Sequence, residues 1–420
     1  MNAVASLEAP PVLSHAELAS ILDEAVEQIK PDGRRIVLLV PDGTRSCPLD
    51  LVFRELHKRL MGRARCLTVL FALGTHPPMS REAMLKRLGL TEAEAAGEFR
   101  RVALLNHAWD DPNALVTVGR LDEATIASAT EGRFNMAVDV QVNRAVLQHD
   151  LVLVVGPVFP HEVVGFSGGN KYLFPGISGP AFLHFFHWLG AVITNRRIIG
   201  VMDTPVRRVL DRAAALLPVE RRALCMVVDK HSGGLAGLFF GTPEDAWRRA
   251  AELSAQIHVR RMPRAFHTVL SCAPEMYDEL WVGGKCMYKL EPVVERGGEL
   301  IIYAPHIREI SAVHGALIRQ IGYHVRDYFL AQWDRFKHHP WGILAHSTHV
   351  KGDGEYVDGV ERPYVNVVLA TGIPEEECRQ INLGYRDPAS IRFEEFMDRE
   401  DDGVLYVPNA GEILYRLRDE

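Results

Sequence analysis

Aliphatic residues run almost unbroken through four short stretches of the amino-terminal half, "RRIVLLVPDGTR", "CLTVLFALGTHPP", "RVALLNHAWDD" and "DLVLVVGPVFPHE", and each run ends in a polar or turn-forming cluster. Continuous rather than alternating apolar runs of this length predict strands buried on both faces of a sheet. Between them, "PLDLVFRELHKRLM" and "SREAMLKRLGLTEAEAAGEF" bring an apolar residue back every three or four positions, the period of an amphipathic helix. Strand, helix and strand at this spacing predict α/β units around a parallel sheet. The polar clusters fall at equivalent places: Asp42, Thr44 and Arg45 follow the first run, Gly74 to His76 the second, His107 the third and His161 the fourth. All lie just past strand carboxyl ends, the edge at which open α/β sheets form their ligand crevice.

A second series of strand-like runs, "FHTVLSCAP", "GELIIYAP", "NVVLATGI" and "VLYVPNA", follows the helical, charged stretch "PEDAWRRAAELSAQIHVRRMPRA". The chain is therefore read as two mixed α/β domains, residues 1–262 and 263–420, with the active site expected in the cleft between them. Two domains also suit a length of 420 residues, beyond what one hydrophobic core usually serves.

Composition narrows the partners. A formal charge of -7 argues against nucleic acid or an anionic membrane and for a small molecule. The six cysteines show no CxxC spacing, so neither a zinc knuckle nor a disulfide framework is expected, which fits a reducing compartment. The opening "MNAVASLEAPPVLSHAELASILDEA" lacks a basic stretch joined to an apolar one, so no signal peptide is read and the cytoplasm is the expectation. Residues 172–195 hold no Asp, Glu, Lys or Arg and are long enough to span a bilayer. Their prolines, glycines and two histidines point instead to a segment buried in protein.

That segment adjoins the densest chemistry. "GFSGGNK" suggests an anion-binding glycine turn, but Asn170 precedes Lys171 and Tyr172 stands where a phosphate loop needs Ser or Thr. A lysine in such an apolar, glycine-flanked setting is also a candidate nucleophile; a solvated lysine in a plain connection is the alternative. After Pro180, "AFLHFFHWLGA" sets His184 and His187 about one turn apart on a helix, as metal ligands or as core side chains. No third ligand follows at helical spacing, so a multi-histidine zinc site is not indicated. His107 and His161, from different strand ends, could flank one substrate as acid and base. Arg45 can grip a carboxylate or phosphate bidentately, with Asp42 orienting it, or the two can form a structural ion pair. His338, His339, His346 and His349 lack ligand spacing and are read as mostly structural.

Taken together, "DGTR", "GTH", "NHAWDD", "HEVVGFSGGNKYLFPG" and "HFFH" resemble the nickel-pincer lactate racemase family, whose members racemise or epimerise 2-hydroxy acids. The resemblance covers most of the amino-terminal domain and extends more weakly to "VGGKCMYK". Its most specific element is a histidine ten positions before a lysine and another sixteen after it, here His161, Lys171 and His187. The resemblance implies that Lys171 is the covalent attachment point of a nickel-bearing pyridinium-3-thioamide-5-thiocarboxylic acid mononucleotide, the nickel-pincer nucleotide. His187 would be the protein's nickel ligand, the remaining metal bonds coming from the cofactor. It further implies that His107 and His161 are alternate bases on opposite sides of the substrate's C2 during hydride transfer through a 2-keto intermediate. Arg45 and Lys285 would hold the substrate, while Asp42, Thr44, Ser167, Gly168 and Gly169 would lie toward the cofactor. Separate cofactor-biosynthesis proteins would load it.

One departure bears on the substrate. Where the lactate enzymes have Tyr-Gln ahead of the carboxylate-binding lysine, this chain has Trp281 and Val282 ahead of Lys285. Loss of the amide removes a polar contact, and such losses alter specificity more than loss of a methylene. The expectation is a 2-hydroxy acid larger than lactate, with a sugar acid such as D-gluconate as first candidate and Trp281 as a substrate contact. Two other readings use the same residues: a lysine Schiff-base enzyme such as an aldolase, and a non-enzymatic nickel- or nucleotide-binding module.

Overall fold

The computed structural model describes residues 12–230 and 232–418. Part of the opening stretch read as free of a signal peptide lies outside them. The chain divides into two compact units. Unit 1 comprises residues up to Phe159, then Phe166–Leu183 and Pro205–Ile257; unit 2 comprises Pro160–Gly165, His184–Thr204 and the chain from His258 onward. Two short stretches that precede residue 263 in sequence thus cluster with the carboxy-terminal unit, and His161 and His187 go with them.

Unit 1 is built on a six-stranded sheet in the order Leu235–Gly241, Glu220–Val228, Leu151–Pro157, Arg35–Val40, Cys66–Phe71, Val102–Asn106. Neighbours are parallel except for the first pair. Arg35–Val40 is central, with Ile36 opposite both Leu67 and Leu151. Its continuous apolar sequence matches burial on both faces. The helix Leu49–Leu60 covers the sheet with Leu49, Val52, Phe53, Leu56 and Leu60, spaced three and four apart and all buried. Each such side chain contributes about 1.5–3 kcal/mol on leaving water. The stretch "SREAMLKRLGLTEAEAAGEF" is two helices rather than one, Arg81–Arg87 and Glu92–Ala96. Gly89 turns the chain at φ +64°, and Thr91 starts the second helix with a reciprocal capping box to Glu94.

Unit 2 holds a five-stranded, wholly parallel sheet in the order Gly384–Tyr385, Val365–Thr371, Val294–Ala304, Phe266–Cys272, Val404–Val407. The fold is α/β in both units. The hairpins Leu115–Leu121 with Val138–Asn143 and Gly354–Val357 with Val360–Pro363 are absent from the sequence reading. Among the described residues no helix is long and apolar enough to cross a membrane, and the six cysteines form no disulfide.

Candidate active-site residues

Four neighbouring parallel strands of unit 1 end at one edge, and three of those ends carry the polar groups picked out in the sequence. After Val40 the chain turns through Asp42, whose Oδ1 accepts from the Thr44 amide at 3.1 Å and the Thr44 hydroxyl at 2.6 Å. Its Oδ2 meets His76 Nδ1 at 2.5 Å, from the end of the adjacent strand. Burial alone would raise the Asp42 pKa, but the bonds to His76 and Thr44 outweigh it and bring it down to about 2. Asp42 is therefore ionised across the neutral range. The expectation that it orients Arg45 is corrected here: its oxygens are taken by His76 and Thr44, and the Arg45 carbonyl is held by Arg87 Nη2 at 2.8 Å. His76, noted in the sequence only by position, is the missed partner; the signal was its place at a strand end.

His107 follows the edge strand Val102–Asn106 and is 1% exposed. Its Nε2–H donates to the Ser178 carbonyl at 3.1 Å, and its Nδ1 accepts from the Asn143 carboxamide at 3.3 Å. Burial pushes its pKa down to about 4, so the imidazole is neutral and able to take a proton at neutral pH. Neither Asn143 nor Ser178 was foreseen, since both lie in segments far along the chain.

The glycine turn is locked in place. Ser167 donates from its hydroxyl to the Pro157 carbonyl and accepts from the Phe159 amide at 2.9 Å, so that hydroxyl holds backbone. Gly168 takes φ +84° and Gly169 φ +58°, and a Cβ on Gly168 would come within 2.5 Å of Val158 Cγ2. Lys171 follows, half-buried in the one-turn helix Gly169–Tyr172, with its amide on the Gly168 carbonyl and its carbonyl accepting from Gly176. Tyr172, standing where a phosphate loop would place its hydroxyl residue, packs against Gly156 of the Leu151–Pro157 strand. The turn is thus shaped as a rigid mount for a lysine.

In unit 2, His161 is buried, and its Nδ1 accepts the Val163 amide at 3.1 Å with Glu162 Oε2 3.3 Å away. Lys289 anchors this segment through the Pro160 carbonyl. His187 is half-buried in the helix Pro180–Ile193, edge-on to Phe186. His184 faces Gly342, and burial lowers its pKa. Trp281 lies flat on His346, centroids 3.8 Å apart and planes 12° off parallel, with His314 at 4.5 Å on a tilt. His346 Nε2 also donates to the Trp281 carbonyl at 2.9 Å. His346 thus contacts Trp281, a candidate substrate residue, through both its ring face and its Nε2. Lys285, at the start of the next short helix, Lys285–Tyr288, lies 5.0 Å from the Tyr277 ring centre.

Among the described residues no group of three or more His, Cys, Asp or Glu is arranged to hold a metal ion. A metal that relied on this chain for all its ligands does not match that donor set. A metal carried by a cofactor supplying most of its own donors needs one imidazole, and the half-buried His187 provides a suitable one. The fixed, half-buried Lys171 suits covalent attachment.

A family profile described as the lactate racemase N-terminal domain matches residues 12–199. Lactate racemase of Lactiplantibacillus plantarum is 26% identical over 157 residues, covering 37% of this chain and 32% of that one. Lactate racemase of Thermoanaerobacterium thermosaccharolyticum is 23% identical over 287 residues, 66% of this chain and 62% of that one. The matches thus span under two thirds of either relative. A Thermotoga maritima protein of known structure is 32% identical, with a TM-score of 0.85 over 98% of this chain and 100% of that one. The lactate racemase apoprotein structure from T. thermosaccharolyticum gives a TM-score of 0.72 at 18% identity, over 95% and 93% of the chains, and attests the shared fold.

Proposed function

Because the chain belongs to the lactate racemase-like family, we propose that it is an isomerase that inverts C2 of a 2-hydroxy acid by removing and returning hydride. The observation that carries this reading is the Lys171 mount: a half-buried lysine on a turn held from both sides, where a covalent cofactor needs its attachment point. In this reading Lys171 carries the nickel-pincer nucleotide and His187 ligates its nickel. When bound, the group supplies the acceptor and donor of the C2 hydride.

The chain's own residues do the rest. His107, kept neutral by burial, takes the substrate hydroxyl proton as C2–H leaves as hydride, yielding a 2-keto acid. To do so its Nδ1 exchanges the Asn143 donor for the substrate hydroxyl. His161 serves the opposite stereoisomer: as an imidazolium it gives a proton to the oxygen as hydride returns to C2, and as the neutral ring it takes that proton in the reverse direction. Return of hydride to the other face of the keto carbon inverts the centre. Arg45 and Lys285 supply fixed positive charge for the carboxylate and the developing oxyanion. Trp281, stacked on His346, forms a flat apolar wall without the amide donor of the lactate enzymes, which favours an acid larger than lactate, D-gluconate first among candidates.

The test is the mass of the Lys171 peptide after co-expression with cofactor-loading proteins. A nucleotide-sized adduct on that peptide, absent from Lys171→Ala, is expected. An unmodified peptide together with borohydride trapping of a carbonyl substrate on Lys171 would replace this reading with Schiff-base chemistry.

A further inference from the structure

Behind the glycine turn, unit 1 holds a polar network that the proposed chemistry does not use, running from the buried Arg207 and Asn170 to the exposed Glu244. Arg207 and Asp211 lie one turn apart on the helix Pro205–Ala215, Glu244 and Trp247 on the helix Pro243–His258, and Arg221 on the strand Glu220–Val228. Arg207 is 3% exposed, with its guanidinium 4.0 Å from the centre of the Trp247 ring. Its two terminal nitrogens donate to the carbonyls of Phe166 at 2.5 Å and Gly168 at 3.5 Å. Between those two, the Ser167 carbonyl accepts from Trp247 Nε1 at 2.9 Å. Three consecutive carbonyls, those of residues 166–168 just upstream of Lys171, are thus gripped by one stacked Arg–Trp pair.

The next side chain is saturated as well. Asn170 donates from Nδ2 to Asp211 Oδ1 at 2.9 Å and Glu244 Oε1 at 2.7 Å, and its Oδ1 accepts from Arg221 at 3.0 Å. A charged guanidinium is costly to bury, and a network of this size held only for stability could be replaced by apolar packing. Here the two terminal nitrogens of Arg207 are spent on the main chain of one turn. A planar fork offers donors on two nitrogens at a fixed separation, whereas an ammonium carries its three donors on one rotatable nitrogen. Gly169 adds a steric requirement, because a Cβ there would come within 2.9 Å of Trp247 Cβ.

We propose that Arg207 and Trp247, with Asn170, are positioning residues for Lys171: they hold the backbone of residues 166–170 from inside the unit and so fix where the Lys171 amine is presented. The functional consequence rests on the reading of Lys171 as the attachment point, but the positioning itself does not. The experiment labels the cofactor-free full chain with acetic anhydride across a pH series and follows the Lys171 peptide by mass, with exposed Lys58 as internal standard. Wild type is compared with Arg207→Lys, Trp247→Phe and Asn170→Ser, each checked for an unchanged melting profile. Release of the turn is expected to speed Lys171 labelling by about tenfold and to move its pH midpoint, leaving Lys58 unchanged, since small displacements of a held group change its reactivity steeply. If Arg207→Lys fails to fold, Trp247→Phe and Asn170→Ser decide the matter. Wild-type labelling rate and midpoint at Lys171 in the folded variants would overturn the proposal. A second arm scores adduct on Lys171 after co-expression with loading proteins, where the variants should retain less. If wild type itself gains no adduct while labelling still responds to the variants, the attachment reading fails and the positioning stands.

Discussion

His107 in unit 1 is buried and His346 in unit 2 half-buried, and loss of water around each ring keeps both neutral, with pKa values pushed down to about 4 and about 3. Their settings differ in kind. His107 follows a strand's carboxyl end, bonded to a main-chain carbonyl and a carboxamide. His346 lies inside the helix Trp341–Lys351, flat against Trp281. A lowered pKa therefore marks loss of water in both and chemistry in neither. What separates them is place: the strand end is where a parallel sheet stops covering its own polar groups and leaves them for a ligand. The helix histidine instead supports the indole in front of it.

That contrast can be broken experimentally, and the sharpest attempt is His107→Ala. On the proposal that His107 is the general base and Lys171 carries the cofactor, the variant is expected to lower turnover by about 10²–10⁴-fold while the Lys171 peptide keeps its adduct, as read by chiral chromatography and peptide mass. Asp42→Asn comes next, with an expected loss of about 10–100-fold, because it removes the charge that orients His76 rather than a group that moves the proton. Unchanged rates in Asp42→Asn would reduce that pair to a loop contact. His346→Ala should leave the rate on the preferred acid within about tenfold yet change the ratio between large and small hydroxy acids, since Trp281 loses its backing. A uniform loss across all acids would instead place His346 with His107.

The smallest effect is on stability. His107, His346 and His349 are held below the usual histidine range, at about 4, 3 and 4. The unfolded chain takes up protons near pH 6.5, while the folded chain resists until about pH 4. In that window the unfolded state binds more protons, so stability falls as pH is lowered from about 6.5 toward 4. Melting temperature should fall over this range, and His349→Leu should flatten the slope. An unchanged slope would mean that other groups govern the acid limb.

The strands were legible where burial on both faces forces unbroken aliphatic sequence, as in Arg35–Val40 and Leu151–Pro157. The edge strand Val102–Asn106 was legible too, although two of its five residues are exposed and the other three only half-buried. The hairpin Leu115–Leu121 with Val138–Asn143 was not, because Gly119, Arg120, Asp139 and Gln141 interrupt its apolar pattern. Strand-end polar groups could be named in advance, but their partners could not. His76 reaches Asp42 across 34 residues, and Trp247 reaches Ser167 across 80. Such pairings depend on which strands lie side by side, which periodicity does not encode. Tyr172 shows the reverse case: its mismatch with a phosphate loop was visible in the sequence, and its packing on Gly156 supplies the reason.

The central claim is that hydride leaves C2 and returns to the same carbon. The direct measurement uses loaded protein, a C2-deuterated 2-hydroxy acid such as D-gluconate, and ordinary water, with deuterium at C2 of the inverted product read by mass spectrometry. Retention of the label in the product, with a slowed rate relative to the protonated acid, is the predicted result. Inversion accompanied by complete washout of deuterium to solvent would contradict it.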